Sequence, residues 1–253
     1  MPTPSLNNIV ITVAYDGTQF FGFQKTDTGR SVESELEQAL VTILQHKVLL
    51  QAASRTDRGV HASSQIVNFI TSKKLDLQKL RHRLNQLLPE DIVVLKAEEA
   101  PFFEFHPTLH AKAKTYHYQI HSTDTLMPYH RFTHWHIPTA LNLEAMRKAC
   151  SPFIGSHDFN AFCNQRKGVR YKDTIREISS LEIIEVEENR LRIEITGTNF
   201  LYKMARNIAG TLVYVGMGKL QISDIKNIIS QKRRAAAGIT APAHGLFLHK
   251  VFY

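Results

Sequence analysis

The stretch Ala53-Ser54-Arg55-Thr56-Asp57-Arg58-Gly59-Val60-His61-Ala62 lies between an apolar run, residues 48–50, and a strand-like run, residues 65–70. It is expected to be a loop between two elements that a core holds in place, and binding and catalytic groups tend to lie on such loops. Asp57 stands between two arginines, and Gly59 supplies the freedom that a sharp turn needs. Two interpretations are open: a surface turn with a solvated Asp–Arg pair, or a functional site.

The charge of the chain favours an anionic partner. The 253 residues carry a net charge of +8, and nucleic acid is the commonest partner of such a basic protein. Residues 201–253 hold eight Lys and Arg residues and one acid, so we expect one basic face. A hydrophobic content of 43% suffices for a core, and the length fits one large domain or two small ones.

Cysteine usage and hydropathy indicate a cytoplasmic protein. Cys150 and Cys163 form no CxxC pair and have no metal-ligand partners at useful spacing, so two reduced, buried thiols are expected. The sequence contains no signal peptide, lipidation site or apolar run of membrane-spanning length. We therefore expect no membrane partner.

The first part of the chain predicts the order strand, helix, strand, helix, strand. The strands are expected at residues 8–15, 65–70 and 91–96, and the helices after the N-caps Ser31 and Asp76. The second helix is expected to bury Leu77, Leu80, Leu84, Leu87 and Leu88. This order suits a sheet covered on one side by two helices, as in the ferredoxin-like layout.

The second part repeats a mixed α/β pattern after a predicted linker at residues 101–110. Strand-like alternation predicts that Tyr116, Tyr118 and Ile120 share one face. Further strands are expected at residues 174–186, 191–197 and 245–252, and helices at residues 142–153, at residues 199–215 and after an N-cap at Ser223. We predict two domains, residues 1–104 and 105–253.

The motif Arg55-Thr56-Asp57-x-Gly59-Val60-His61 resembles the signature of the tRNA pseudouridine synthase A family, enzymes that isomerise uridine in the anticodon arm of tRNA. Other blocks of the chain resemble the same family in the same order. They are Tyr15-Asp16-Gly17-Thr18-x-Phe20-x-Gly22-x-Gln24, Leu84-Asn85-x-x-Leu88-Pro89-x-Asp91-Ile92, Gly155-x-His157-Asp158-Phe159, Met204-x-Arg206-Asn207-Ile208-x-Gly210 and Ala241-Pro242-x-x-Gly245-Leu246. The resemblance thus covers nearly the whole chain.

The resemblance implies an α+β fold of two ferredoxin-like or RRM-like halves that form a central mixed, mainly antiparallel sheet with a cleft between them. The N-terminal domain would carry the catalytic Asp loop, and the C-terminal domain the stacking Tyr and the basic RNA-binding face. It also implies a homodimer that binds the anticodon arm of tRNA and acts on uridines 38, 39 and 40. No cofactor and no metal are expected.

The resemblance also assigns roles to individual residues. Asp57 matches the family's essential aspartate, which attacks C1′ or C6 of the uridine or steadies a charged ribose. Arg206 matches its cationic partner, and the alternative for Arg206 is a phosphate contact or a surface residue. Tyr116 matches the tyrosine that stacks on the target uracil, and the alternative is a core tyrosine. Arg55 and Arg58 are expected to bind the nucleotide or its phosphate.

The chain departs from the family pattern at several positions. Ser54 stands where glycine is common, Arg58 where alanine is common, Phe23 where tryptophan is common and Thr108 where arginine is usual. Arg58 favours the alternative function, a non-catalytic tRNA- or RNA-binding protein with the same fold. A weaker alternative is a hydrolase that uses Asp57 with a metal.

Histidines are concentrated in one part of the chain. Seven of the thirteen lie between residues 106 and 136. Their spacings fit no structural or catalytic zinc pattern, so we expect a binding face or plain surface there. His157 and Asp158 are not accompanied by a serine or cysteine nucleophile, and His61 is expected to have a structural role in the loop.

Overall fold

The structure is a computed structural model that describes residues 6–165, 168 and 171–253. Within these residues the chain forms ten β-strands and five α-helices, and the paired strands within each compact unit run antiparallel apart from one short parallel pair. The predicted α+β class with mainly antiparallel strands is confirmed. The two compact units are the residues up to Lys112 together with Leu248–Tyr253, and Ala113–Phe247.

Unit 1 has the predicted order of elements, with one short strand added. Its elements are β1 Asn7–Tyr15, α1 Val32–Leu44, β2 Gln51–Ala52, β3 His61–Thr71, α2 Leu77–Leu87 and β4 Ile92–Glu99. The strand order β4-β1-β3-β2, with every neighbouring pair antiparallel, is that of a ferredoxin-like sheet. The apolar run before the loop has no regular secondary structure, and Leu49 within it is 86% exposed.

Both helices of unit 1 begin where the sequence predicts. The Ser31 hydroxyl accepts the backbone N–H of Ser34, and the Asp76 carboxylate accepts that of Lys79. The prediction that Leu87 is buried is wrong, because this residue is 48% exposed. The helix ends at Leu87, and the extended residue Leu88 takes the buried position instead.

The predicted linker at residues 101–110 is part of unit 1. Asn8, buried on β1, donates its side-chain N–H groups to the carbonyls of Phe103 and Phe105 at 2.8 and 2.9 Å. Asn68, buried on β3, donates to the Phe105 carbonyl at 3.0 Å. These bonds hold the segment against the sheet, so the compact units divide after Lys112, whereas we predicted a domain boundary after residue 104.

Unit 2 is built on a four-stranded antiparallel sheet in the order β5-β9-β8-β7, with the short β6 paired to β5. Its strands are β5 Ala113–His121, β6 Trp135–His136, β7 Gly155–Asp158, β8 Ile175–Glu187 and β9 Arg190–Gly197. Its helices are α3 Leu143–Lys148, α4 Met204–Gly216 and α5 Ile222–Gln231, and β10 Leu246–Phe252 closes the chain. On β5, Tyr116, Tyr118 and Ile120 are buried, as the alternation predicts.

Three predicted helices of unit 2 differ at their ends. The helix expected from residue 142 to 153 is only α3, followed by a 3₁₀ turn that contains Pro152. The helix expected from residue 199 begins at Met204, because Lys203 before it has a left-handed backbone with φ 62°. The N-cap of α5 is Gln221, whose backbone N–H donates to the Asp224 carboxylate at 2.8 Å, and not Ser223.

The two leucines at the end of α2 give a test of the burial. Leu84 is fully buried, so Leu84→Ala should lower the free energy of unfolding by about 2–5 kcal/mol. Leu87→Ala, at an exposed position of the same helix, should change it by less than about 1 kcal/mol. Urea unfolding of both variants measures the difference, and equal losses would contradict the burial described for α2.

Candidate active site

The loop of residues 53–60 is held on one side by a buried glutamine. Gln65, fully buried on β3, donates to the Ser54 carbonyl at 2.7 Å. The Ser54 N–H in turn donates to the Gln65 side-chain oxygen at 3.1 Å. Ala53 extends the attachment through its N–H, which donates to the Ile66 carbonyl at 2.8 Å. The backbone that leads to Asp57 is therefore fixed to β3.

Bonds to the segment after β1 hold the tip of the loop. The hydroxyls of Tyr15 and Thr56 share a hydrogen bond of 2.7 Å, and Thr56 is buried. The Phe23 N–H donates to the Thr56 carbonyl at 3.0 Å, and the Gly59 N–H donates to the Phe20 carbonyl at 3.3 Å. Asp57 thus lies between Thr56 and Gly59, and both of these residues are bonded to the segment of residues 20–23.

Two glycines allow this segment to approach the loop closely. A Cβ on Gly22, whose φ is +112°, would lie 2.8 Å from the Thr56 carbonyl oxygen. A Cβ on Gly17 would lie 2.0 Å from the Val60 carbonyl oxygen. Both distances are shorter than a carbon–oxygen contact allows, and both involve backbone atoms that cannot swing away. The loop fits against this segment only because both residues are glycine.

Asp57 itself is half-buried at the turn of the loop. The turn closes through the Val60 N–H, which donates to the Asp57 carbonyl at 3.1 Å, and Gly59 has a left-handed backbone with φ 75°, as the sequence predicts. His61 is buried and its Nδ1 accepts the Gly17 N–H at 3.0 Å. His61 therefore has the structural role that we expected.

Arg55 and Arg58, the two arginines beside Asp57, are both exposed. The guanidinium carbon of Arg58 lies 4.2 Å from the ring centroid of Phe21, within the range of a cation–π contact. A Cβ on Gly29 would lie 2.5 Å from the same ring. Phe21 is thus a platform for Arg58, while the aromatic residues on either side, Phe20 and Phe23, are buried core residues.

Unit 2 carries the other two predicted site residues on neighbouring elements. Tyr116, on β5, is 7% exposed, and its ring lies edge-on to that of Phe200 at 4.8 Å between centroids. Arg206, in the first turn of α4, is half-buried and donates its Nε–H to the Ala241 carbonyl at 2.7 Å. The Tyr118 hydroxyl donates to the next carbonyl, that of Pro242, at 2.8 Å. Burial raises the pKa of Tyr118, and the positive charge of Arg206 opposes that rise.

The basic run at residues 232–234 is not a free cationic surface. Lys232 forms an ion pair with Asp158 at 2.8 Å. Arg234 donates to the Gly238 carbonyl at 2.8 Å and to the Asn207 side-chain oxygen at 2.9 Å. Within the described part of the chain, the exposed Arg233 side chain has no ion-pair or hydrogen-bond partner, so two of the three positive charges already contact other parts of the protein.

The histidine-rich segment forms a cluster of imidazole rings in unit 2. The ring centroids of His130 and His134 are 4.5 Å apart, and that of His121 lies 5.4 Å from His130 and 6.2 Å from His134. Arg190 reaches the same cluster, with its Nη1 3.5 Å from His130 Nε2. Among the described residues, no group of three or more His, Cys, Asp or Glu side chains is arranged to hold a metal ion.

Comparison with known protein families gives the deciding observation. The family model described as tRNA pseudouridine synthase matches residues 11–108 and 149–253. The chain belongs to the tRNA pseudouridine synthase A family. Asp57 and Arg206 lie inside the matched stretches, and Tyr116 lies between them.

Relatives of this synthase family align over nearly the full chain. The tRNA pseudouridine synthase A 2 of Protochlamydia amoebophila is 51% identical over 98% of this chain and 95% of its own length. The tRNA pseudouridine synthase A of Ruminiclostridium cellulolyticum is 42% identical over 98% of this chain and 100% of its own length. A solved Cbf5-Nop10-Gar1 complex aligns with a TM-score of 0.34 at 11% identity, over 94% of this chain and 57% of that chain, which is too distant to support an argument.

Two departures from the usual pattern of the synthase family have a structural explanation. The φ of Ser54 is not in the left-handed region. The backbone there does not require glycine, so a side chain is tolerated at this position. The Thr108 hydroxyl donates to the Ala52 carbonyl at 2.6 Å, and the residue therefore fastens residues 101–110 to the segment just before the loop.

Several residues of the site have no strong signal in the sequence. Gln65 and Tyr15 hold the loop, and Tyr118 donates its hydroxyl to the Pro242 carbonyl at 2.8 Å. Tyr15 and Pro242 lie in blocks that resemble the synthase family, so those blocks were the available signal. Gln65 lies outside these blocks. Its role is recognised only in the structure, where it is a polar residue buried in the middle of β3.

No helix within the described residues is long and apolar enough to cross a bilayer.

The histidine cluster predicts a loss of stability in acid. Burial lowers the pKa of His134 to about 4, and the charges of His130 and Arg190 act in the same direction. The unfolded chain therefore binds an additional proton as the pH falls from about 6.5 to 4, so stability is present above this range and is lost within it. Unfolding free energies across this range should fall less steeply for His134→Phe than for the wild type. His82→Gln, at an exposed position on α2, serves as the control, and an unchanged slope in His134→Phe would contradict the prediction.

Proposed function

We infer that the protein is a tRNA pseudouridine synthase, an isomerase that converts uridine in tRNA to pseudouridine. In this reaction the bond between uracil N1 and ribose C1′ breaks and a bond between C5 and C1′ forms. A proton leaves C5 and N1 gains one, so the reaction is an isomerisation that needs no external oxidant or reductant. The observation that carries the proposal is the Asp57 loop, which is bonded to Gln65 on one side and to Tyr15 on the other. The chain that contains it belongs to the tRNA pseudouridine synthase A family.

Asp57 is the catalytic carboxylate in this proposal. Its half-buried position on a loop whose neighbours are fixed by backbone bonds supports the role, because a catalytic group must be held close to its productive geometry. The carboxylate acts in its ionised form, either as a nucleophile or as a negative charge beside the developing charge on the ribose.

The remaining predicted site residues bind and orient the nucleotide. Arg206 is assigned as the cation that keeps the carboxylate ionised because it matches the family motif, and within unit 2 its guanidinium is fixed by the Nε bond to Ala241. Tyr116 stacks on the uracil after the nucleotide leaves the helix stack. Arg55 and Arg58 are exposed next to Asp57, where their charges suit the phosphates that flank the target.

The substrate is the anticodon arm, at uridines 38, 39 and 40, and the enzyme is a cytoplasmic homodimer. The resemblance of the motifs supports these finer assignments, and the net charge of +8 suits binding to tRNA. Light scattering that gives a mass near twice 28.8 kDa would support the dimer, and a mass near 28.8 kDa would contradict it.

The function is tested by tritium release from tRNA labelled at C5 of uridine. Wild-type protein should release tritium, and Asp57→Asn should lower the release rate by more than about 10³-fold, the scale on which loss of a catalytic nucleophile acts. The affinity for tRNA should stay within a few-fold, since the substitution keeps the shape of the side chain. Replacing uridines 38, 39 and 40 by cytidine should abolish release by the wild type.

Asp27→Asn is the matched control, because it makes the same chemical change at an exposed carboxylate of unit 1. It should retain wild-type release. Wild-type protein that binds tRNA without releasing tritium would establish the non-catalytic RNA-binding alternative. Asp57→Asn protein that loses tRNA binding would count against a purely chemical role for the carboxylate.

A further inference from the structure

A strap of residues 238–242 lies along the first two turns of α4, the helix that carries Arg206. The Gly238 N–H donates to the Thr211 hydroxyl at 3.0 Å, at one end of the contact. The Ala241 N–H donates to the Arg206 carbonyl at 3.2 Å, at the other end. The strap therefore runs antiparallel to the helix and reaches Arg206 at its far end.

Two glycines bring the strap into direct backbone contact with α4. A Cβ on Gly210 would lie 1.8 Å from the Ile239 carbonyl oxygen, and a Cβ on Gly238 would lie 2.6 Å from the Gly210 carbonyl oxygen. No side chain separates the two segments at this point. A displacement of the strap is therefore transmitted to the helix without a flexible layer between them.

A buried asparagine connects the strap to the residue next to Arg206. Asn207 is fully buried, and its side-chain oxygen accepts from the Thr240 hydroxyl at 2.7 Å and from Arg234 at 2.9 Å. Its side-chain N–H groups donate to the Phe162 carbonyl at 2.6 Å and to the Asn164 side-chain oxygen at 2.8 Å. Because both donors and the oxygen have partners, Asn207 is held in one orientation.

Arg234 fastens the strap at two points with one guanidinium. Its Nη1 donates to the Gly238 carbonyl at 2.8 Å, and its Nη2 donates to the Thr240 hydroxyl at 3.0 Å as well as to Asn207. The planar fork of an arginine suits such a double contact, and a lysine cannot reproduce it. Arg234 is half-buried, and burial lowers its pKa. These contacts fit a structural cation better than an RNA-facing one.

The Ala241 end of the strap provides the hydrogen-bond acceptor for the Arg206 side chain. Arg206 Nε donates to the Ala241 carbonyl at 2.7 Å, and Ala241 is fully buried. The next carbonyl, that of Pro242, accepts the hydroxyl of the fully buried Tyr118 at 2.8 Å. The acceptor of Arg206 is thus held from both sides, by Thr240 before it and by Pro242 after it.

We propose that Arg234 and Thr240 are positioning residues for the reaction, acting through the strap to fix the guanidinium of Arg206. The proposal rests on the role of Arg206 in the proposed function. An arginine side chain has several rotamers, and the bond from Nε to the Ala241 carbonyl restricts which of them Arg206 adopts. Misplacement of a charged group by about 1 Å can cost 10²-fold in rate, so the strap matters for turnover more than for binding.

The test uses the full-length enzyme and the rate of tritium release from tRNA labelled at C5 of uridine. Arg234→Gln and Thr240→Val each remove contacts of the strap, and Thr240→Ser keeps the hydroxyl. Each change is also made in an Arg206→Lys background, which keeps the positive charge and lacks the Nε donor. Lys148→Ala is the matched control, since it removes an exposed positive charge of unit 2 that lies outside the strap contacts. Melting temperatures identify conditions in which every variant is folded.

Arg234→Gln and Thr240→Val should lower kcat by about 10-fold with KM for tRNA within about two-fold. Thr240→Ser and Lys148→Ala should retain kcat. In the Arg206→Lys background the two losses should disappear, because a residue that acts only through Arg206 has no further effect once the Nε bond is gone.

Three results would overturn the proposal. Equal losses of kcat in both backgrounds would show that the strap only stabilises the fold, and a raised KM with kcat unchanged would make Arg234 a tRNA contact. Unchanged kcat in both strap variants would show that the strap does not position Arg206. Arg206→Ala is assayed separately, and wild-type kcat in this variant would remove Arg206 from the reaction. A failure of the role assigned to Arg206 is thereby separated from a failure of the strap.

Discussion

Backbone-to-backbone contact under the Asp57 loop is the constraint on which the rest of unit 1 depends. Gly22 and Gly17 have only a hydrogen atom where other residues have a Cβ. That Cβ would collide with the Thr56 carbonyl at residue 22 and with the Val60 carbonyl at residue 17. Backbone atoms cannot rotate away as the end of a flexible side chain can, so the loop has one fitting position. The position of the carboxylate at residue 57 is therefore set by the main chain, and side-chain bonds from Gln65 and Tyr15 reinforce it.

Unit 2 holds its candidate residue by the same physical means. Gly210 and Gly238 let a strap lie directly on α4, and the buried side chain of Asn207 joins the two. In both units a charged side chain lies on a segment whose neighbours have satisfied hydrogen bonds, which is the arrangement that preorganised sites require. In the proposed function, the positive charge of the chain binds RNA in general, and these two segments hold the residues assigned to the chemistry.

Sequence patterns predicted the features that depend on local interactions and missed those that depend on distant ones. The caps at Ser31 and Asp76 were correct because a side-chain oxygen needs only the N–H three residues later. The start of α4 was missed because Lys203 has a left-handed backbone, a conformation that a lysine rarely adopts and that its sequence does not signal. Arg234 looked like a surface charge because its partner Asn207 is 27 residues away in sequence. At the site, the motif identified Asp57, whereas no local pattern shows that Gln65 reaches across to the loop.

The turnover rate of Gly22→Ala tests most directly whether close backbone packing of the Asp57 loop against Gly22 is required for activity. The methyl group would meet the Thr56 carbonyl, so kcat for uridine isomerisation should fall by about 10²-fold. Gly218→Ala is the comparison, because Gly218 also has a left-handed φ, +71°, but has open space around it. At a temperature where both variants are folded, only Gly22→Ala should lose turnover. Equal rates in the two variants would contradict the account.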